Sequence, residues 1–103
     1  MNPFVQNNIA VVLWKQGKLA EAMELYQEVL RVRVATLGPE HPDVAATYLN
    51  MGAACNEMGK YVEAIEYYSS ALSIFEKVHG PDHPHVAATY GKYDLFFLII
   101  FCS

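Results

Sequence analysis

Four histidines, two cysteines and a pair of glutamates one helical turn apart are the most reactive groups in this 103-residue sequence. His79, His83 and His85 offer imidazole nitrogens of the kind that ligate zinc. Yet His83 sits in a stretch that recurs around His41 without flanking histidines, and no cysteine lies near it. A metal site is therefore not expected, and no cofactor is called for. Glu63 and Glu66 have the spacing of a carboxylate pair, but on the polar side of an amphipathic helix they read as a solvated face rather than a general acid and base. Tyr67 and Tyr68 read as packing. Cys55 falls on an apolar helical face as a small hydrophobe. With Cys102 it makes no disulfide framework, so a reducing compartment, the cytoplasm, is expected. The sequence holds no Gly-rich phosphate loop, Gly-x-Ser-x-Gly turn or His-Glu-x-x-His helix. No catalytic residue is assigned.

Composition narrows the class further. Apolar residues make up 53% of the chain and charged residues 17%, too apolar for a disordered segment. The formal net charge of −4 lacks the basic footprint of a nucleic-acid binder and favours basic or uncharged peptide partners. A short apolar patch from Ile9 to Trp14 has no basic residue before it and no clean cleavage site after it, so no signal peptide is read. The longest apolar run, Leu95 to Phe101, falls well short of the roughly 20 residues that span a bilayer. A membrane role is disfavoured.

The elements that must position any binding residues come from an internal repeat. Gly38-Pro39-Glu40-His41-Pro42-Asp43-Val44-Ala45-Ala46-Thr47-Tyr48 returns as Gly80-Pro81-Asp82-His83-Pro84-His85-Val86-Ala87-Ala88-Thr89-Tyr90, shifted by 42 residues. Asn8 returns as Asn50, Gly17 as Gly59, Ala22 as Ala64 and Tyr26 as Tyr68. A period in this range signals a solenoid or array. Tyr61, Ala64, Ile65, Tyr68, Ala71, Leu72 and Phe75 form the i, i+3, i+4, i+7 stripe of an amphipathic helix. Leu19, Ala22, Met23, Tyr26, Val29 and Leu30 form its counterpart. A second helix type precedes each. Gly17 and Gly59 are placed to turn the chain between helices, Pro42 and Pro84 suit the first helical turn, and His41 and His83 stand at N-caps. The order is helix A from 3 to 16, helix B from 18 to 36, helix A from 42 to 58, helix B from 60 to 78, and a third helix A from 84. Small residues at Ala22, Gly52, Ala64 and Ala71 allow close helix approach.

These residues resemble the tetratricopeptide repeat, whose signature is W-x2-L-G-x2-Y, then A-x3-F, then a proline. Here the complete unit reads Tyr48-x2-Met51-Gly52-x2-Cys55, then Gly59, Tyr61, Ala64-x3-Tyr68 and Ala71. The 42-residue period and the Gly-Pro-Glu/Asp-His-Pro linker are similar to the kinesin light chain and nephrocystin type of the family. The departures are Cys55 in place of a Tyr, Gln6 in place of the opening aromatic, and the C-terminal tail. The resemblance implies an all-α fold, a right-handed superhelical stack of antiparallel helical hairpins. It implies units at about 3–41 and 42–83, a partial one at 84–93, and a non-catalytic module that binds a protein or peptide ligand along its A helices, as a kinesin-light-chain-like cargo adaptor would. The groove would be lined by Phe4, Asn7, Asn8, Val11, Trp14 and Lys15, then Ala46, Leu49, Asn50, Ala53, Asn56 and Glu57, then Ala88 and Lys92. Asn8, Val11, Lys15, Leu49, Asn50, Ala53, Asn56, Glu57 and Lys92 are the leading candidates. Related repeats often place an Asn at the Asn8 and Asn50 position to hold a ligand main chain. Asn7 replaces the basic residue with which chaperone-binding relatives grip a C-terminal carboxylate.

After Tyr90 the amphipathic pattern ends and residues 94–103 form an apolar tail, the reverse of a polar capping helix. The tail suggests a fragment of a longer array or an altered reading of the gene; a self-association or membrane-surface element is the alternative. The competing reading of the whole chain is homotypic stacking without a specific ligand.

Overall fold

In the computed structural model the structure describes residues 2–80. The expectations placed on the third helix, on Ala88 and Lys92, and on the apolar tail lie outside the described residues. Within them the chain forms α1 (Pro3–Lys15), α2 (Leu19–Leu37), α3 (Pro42–Glu57) and α4 (Tyr61–His79), with no strand. Every boundary falls within one residue of the expected one.

Local chemistry explains the ends. Asn2 caps α1, its Oδ1 accepting from the Phe4 N–H at 2.8 Å, and Pro3 follows where no N–H is needed. His41 caps α3 as expected, with Nδ1 accepting from the Asp43 N–H at 3.0 Å. The A helices end in a closed turn. The Lys18 N–H reaches back to the Leu13 carbonyl at 2.9 Å and the Gly17 N–H to Trp14 at 3.0 Å. In the second unit Lys60 bonds Cys55 at 2.8 Å and Gly59 bonds Asn56 at 3.0 Å. This closure needs a left-handed residue, and Gly17 and Gly59 adopt φ of 81° and 78°.

Each A helix folds back on its B helix, and α2 packs onto α3, so α3 lies between α2 and α4. One core cluster joins Ala10, Ala22, Met23, Tyr26, Met51, Ala54, Cys55, Ala64 and Tyr68 across all four helices. A second gathers Val44, Ala45, Ala71, Ile74 and Phe75 beside it. Full burial of Val29, Val44 and Met51 contributes about 1.5–3 kcal/mol each. The buried positions are small where helices cross. At Gly52 an added Cβ would lie 2.7 Å from Tyr68 Cε1, so the bare backbone is what admits the ring.

The α2–α3 contact carries one buried polar group. The Thr47 hydroxyl donates to the Asp43 carbonyl at 2.9 Å and accepts from Arg33 Nη1 at 2.9 Å. Thr47 is wholly buried, so both bonds offset the loss of its hydration. Tyr48 stacks on Tyr67 with ring centroids 6.1 Å apart, joining α3 to α4.

Candidate peptide-binding groove

The A helices α1 and α3 lie next to each other along the stack and leave a cleft of about 480 Å³. Val11 and Trp14 of α1 form one wall. Pro42, Asp43, Ala46, Leu49, Asn50 and Ala53 of α3 form the other, with Tyr26 of α2 and Phe75 of α4 completing the lining. The 3- and 4-residue spacing of Ala46, Leu49, Asn50 and Ala53 puts them on one face of α3.

Of the leading candidates, Val11, Leu49, Asn50 and Ala53 meet in this cleft. Asn8, Lys15 and Glu57 are exposed on the A helices and Asn56 is half-buried, none of them among the lining residues. Tyr26, Pro42, Asp43 and Phe75 had no sequence signal as groove residues. Tyr26 and Phe75 belong to B helices and read as core, and Pro42 and Asp43 read as punctuation.

The polar groups of the cleft are few. Asn50 Nδ2 donates to Asn7 Oδ1 at 3.3 Å, an amide bridge from α3 to α1. Each amide offers two donor hydrogens and two acceptor lone pairs, so one shared bond leaves capacity for a ligand main chain. The Trp14 indole N–H is buried and has no acceptor among the described residues. An unmet buried donor costs about 1–3 kcal/mol, which a ligand carbonyl would recover.

Asp43 is the one carboxylate lining the cleft, and His41 Nδ1 lies 3.9 Å from its Oδ2. Burial pushes the Tyr26 phenol above its ordinary range, so it stays protonated at neutral pH. Cys55 is fully buried, and burial followed by the charge of Glu63 raises its thiol against a smaller opposing effect of Lys60. A thiol held protonated is a poor nucleophile. Its Sγ lies 4.0 Å from Glu63 Oε2, a weak contact that occupies one of the two glutamates considered above. Glu63 and Glu66 are both exposed. Nδ1 of His41 is taken by the α3 cap. The His79 side chain, His83 and His85 lie outside the described residues. Among the described residues no group of three His, Cys, Asp or Glu side chains is placed to hold a metal, and no helix is long and apolar enough to cross a membrane.

Two stacked antiparallel helical hairpins with an open face are the architecture of a helical-repeat array. The chain belongs to the tetratricopeptide repeat family, whose model matches residues 4–68 and again 43–93. The crystal structure of BtubC (BKLC) from P. vanneervenii is similar in fold, with a TM-score of 0.85 and 22% identity over 92% of this chain. A Podosopora anserina protein described as a kinesin light chain with nearly identical TPR-like repeats matches with a TM-score of 0.80 and 25% identity over 95% of this chain. A point variant of that protein matches with a TM-score of 0.79 over 92%. The chain spans 37% of the first structure's length and 48% of the second's. No curated protein sequence matches the chain. Tetratricopeptide repeats are protein-interaction modules and are typically non-enzymatic.

Proposed function

We propose that the cleft between α1 and α3 captures a short peptide segment of a partner protein, making the chain a non-catalytic adaptor of the kinesin-light-chain type that links a cargo segment to a larger assembly. The cleft carries this reading. It is about 480 Å³, walled mainly by apolar side chains, with amide groups at Asn7 and Asn50 to fix a main chain. Two A helices supply its walls, so a peptide lying along the stack would read both units at once. A buried free thiol at Cys55 suits a reducing cytoplasm.

The test has two stages. Co-purification with the intact chain identifies the partner, and calorimetry then measures its bound segment against wild type and Asn50→Ala. The substitution is expected to weaken binding by about 1–3 kcal/mol through an unpaired group at the contact, with the fold retained. Trp14, the single tryptophan, lines the cleft and should change its emission on binding. Equal affinity for both proteins, with silent Trp14 emission, would place the ligand elsewhere.

A further inference from the structure

The cleft between α1 and α3 is polar at one end and apolar along the rest. Pro42 and Asp43 open α3, so the Asp43 carboxylate stands in its first turn. Ala46, Leu49, Asn50 and Ala53 follow along the same wall, with Val11 and Trp14 opposite. Asp43 is the one formally charged residue among the described residues that line the cleft, and its side chain is 57% exposed.

No cationic side chain among the described residues pairs with this carboxylate. Arg33 of α2 reaches the same turn, but its Nη1 donates to the Thr47 hydroxyl at 2.9 Å and to the Asp43 main-chain carbonyl at 3.3 Å. His41 Nδ1 lies 3.9 Å from Asp43 Oδ2. That nitrogen accepts the Asp43 N–H, so it carries no proton and the ring is neutral in this cap. Lys15 is the one cation of α1 and α3, and it stands outside the lining. The N-terminal end of α3 offsets part of the charge through its backbone dipoles, yet it leaves the carboxylate oxygens open to a ligand.

Resting on the peptide reading above, we propose that the captured segment is basic at one end and apolar beyond it. A lysine or arginine sits at Asp43, and large apolar side chains pack against Val11, Trp14 and Leu49. Spacing sets the pattern. Asp43 and Asn50 are seven residues apart on α3, about 10 Å along the axis at roughly 1.5 Å per residue. An extended peptide covers that distance in about three residues, at roughly 3.3 Å each. Its main chain therefore meets the Asn50 amide about three residues from the basic side chain. Side chains of an extended segment alternate in direction, so those two and four residues beyond the basic one share its face. They enter the cleft where the small side chains of Ala46 and Ala53 leave room. An acidic segment would bring like charge to Asp43 and find no lysine or arginine among the described lining residues. The net charge of −4 also draws a cationic segment toward the chain before contact.

The test selects binders of the full chain from a displayed library of random peptides lacking tryptophan, then titrates the enriched peptides while following Trp14 emission. Wild type is expected to enrich lysine or arginine with apolar residues two and four positions away. Asp43→Asn is expected to lose the basic preference and keep the apolar one. It should bind a peptide selected on wild type about two- to fivefold more weakly, the range of a solvent-exposed ion pair, and high salt should narrow that gap. Asp43→Glu keeps the charge and is expected to keep the preference. Matching far-UV circular dichroism spectra confirm that all three proteins are folded. Enriched peptides that change Trp14 emission but are acidic or uncharged overturn the proposal and leave the groove reading standing. So does a basic preference that survives Asp43→Asn. No enrichment, or binding with silent Trp14 emission, overturns the groove reading and this proposal with it.

Discussion

The two A helices share a repeat position but differ in what surrounds them. Helix α1 buries one residue, Ala10, whereas α3 buries seven. Propensity does not account for this. Both begin with a capped proline turn and end in the same glycine closure. The difference is the neighbour: α3 packs on α2 and α4, and α1 packs mainly on α2. In an array of this kind each unit draws much of its stability from the unit beside it.

The sharpest break of the comparison exchanges corresponding core and surface positions. Met51→Ala removes a fully buried side chain and is expected to cost about 2–5 kcal/mol. Ile9→Ala, at the same repeat position on the bare face, should cost under about 1 kcal/mol in dilute solution. Urea titration of both variants checks this. Similar losses would mean that the α1 face is covered in the monomer.

Alkaline pH probes the buried tyrosines Tyr26 and Tyr68, equivalent positions on the two B helices. Burial, with the charge of Cys55 adding to it, pushes the Tyr68 phenol from 10 up to about 12. The folded chain holds this proton more tightly than the unfolded chain does. The stabilisation is therefore complete below pH 10 and is lost as pH rises through 12, a total of about 2–3 kcal/mol. Tyr26, its counterpart in the first unit, shifts in the same direction through burial alone. Melting midpoints from pH 9 to pH 12 should fall steeply for wild type and less for Tyr68→Phe. Superimposable curves would remove Tyr68 as the source.

A finer contrast lies at Ala10 and Gly52, again equivalent positions. A helical Gly→Ala change ordinarily gains about 1 kcal/mol. Gly52→Ala instead drives a Cβ to within 2.7 Å of the Tyr68 ring and should lose about 1–2 kcal/mol net. A raised melting midpoint would show that the ring gives way freely. The smallest effect is expected at the exposed pair of Lys77 Nζ and Glu40, 2.6 Å apart. Lys77→Ala should change stability by no more than about 0.2–1 kcal/mol, and less in high salt.

The architecture was legible from end to end of residues 2–80 because its signals are local. Hydrophobic stripes, turn glycines, N1 prolines and His41 act over a few residues, and the 42-residue recurrence states the plan twice. Half-legible was the groove. Its A-helix wall at Val11, Leu49, Asn50 and Ala53 follows from helical spacing once the repeat is aligned. Tyr26 and Phe75 did not stand out, because a B-helix aromatic shows the same apolar stripe whether its edge reaches a cleft or a core.

By itself the sequence determined the helices, their order, their ends and the repeat that makes them stack, since each rests on backbone preferences and periodicity within a short stretch. Only the tertiary structure decided which equivalent positions became core and which stayed bare. Val5 and Thr47, Ile9 and Met51, Val12 and Ala54 share a repeat position, yet one of each pair is exposed and the other buried. The Asn7–Asn50 bridge belongs to the same order of fact, since it joins residues 43 apart in the chain. Burial and cross-stack bonds depend on what lies alongside a helix in space, and a periodic pattern is the same whether or not a neighbour is there.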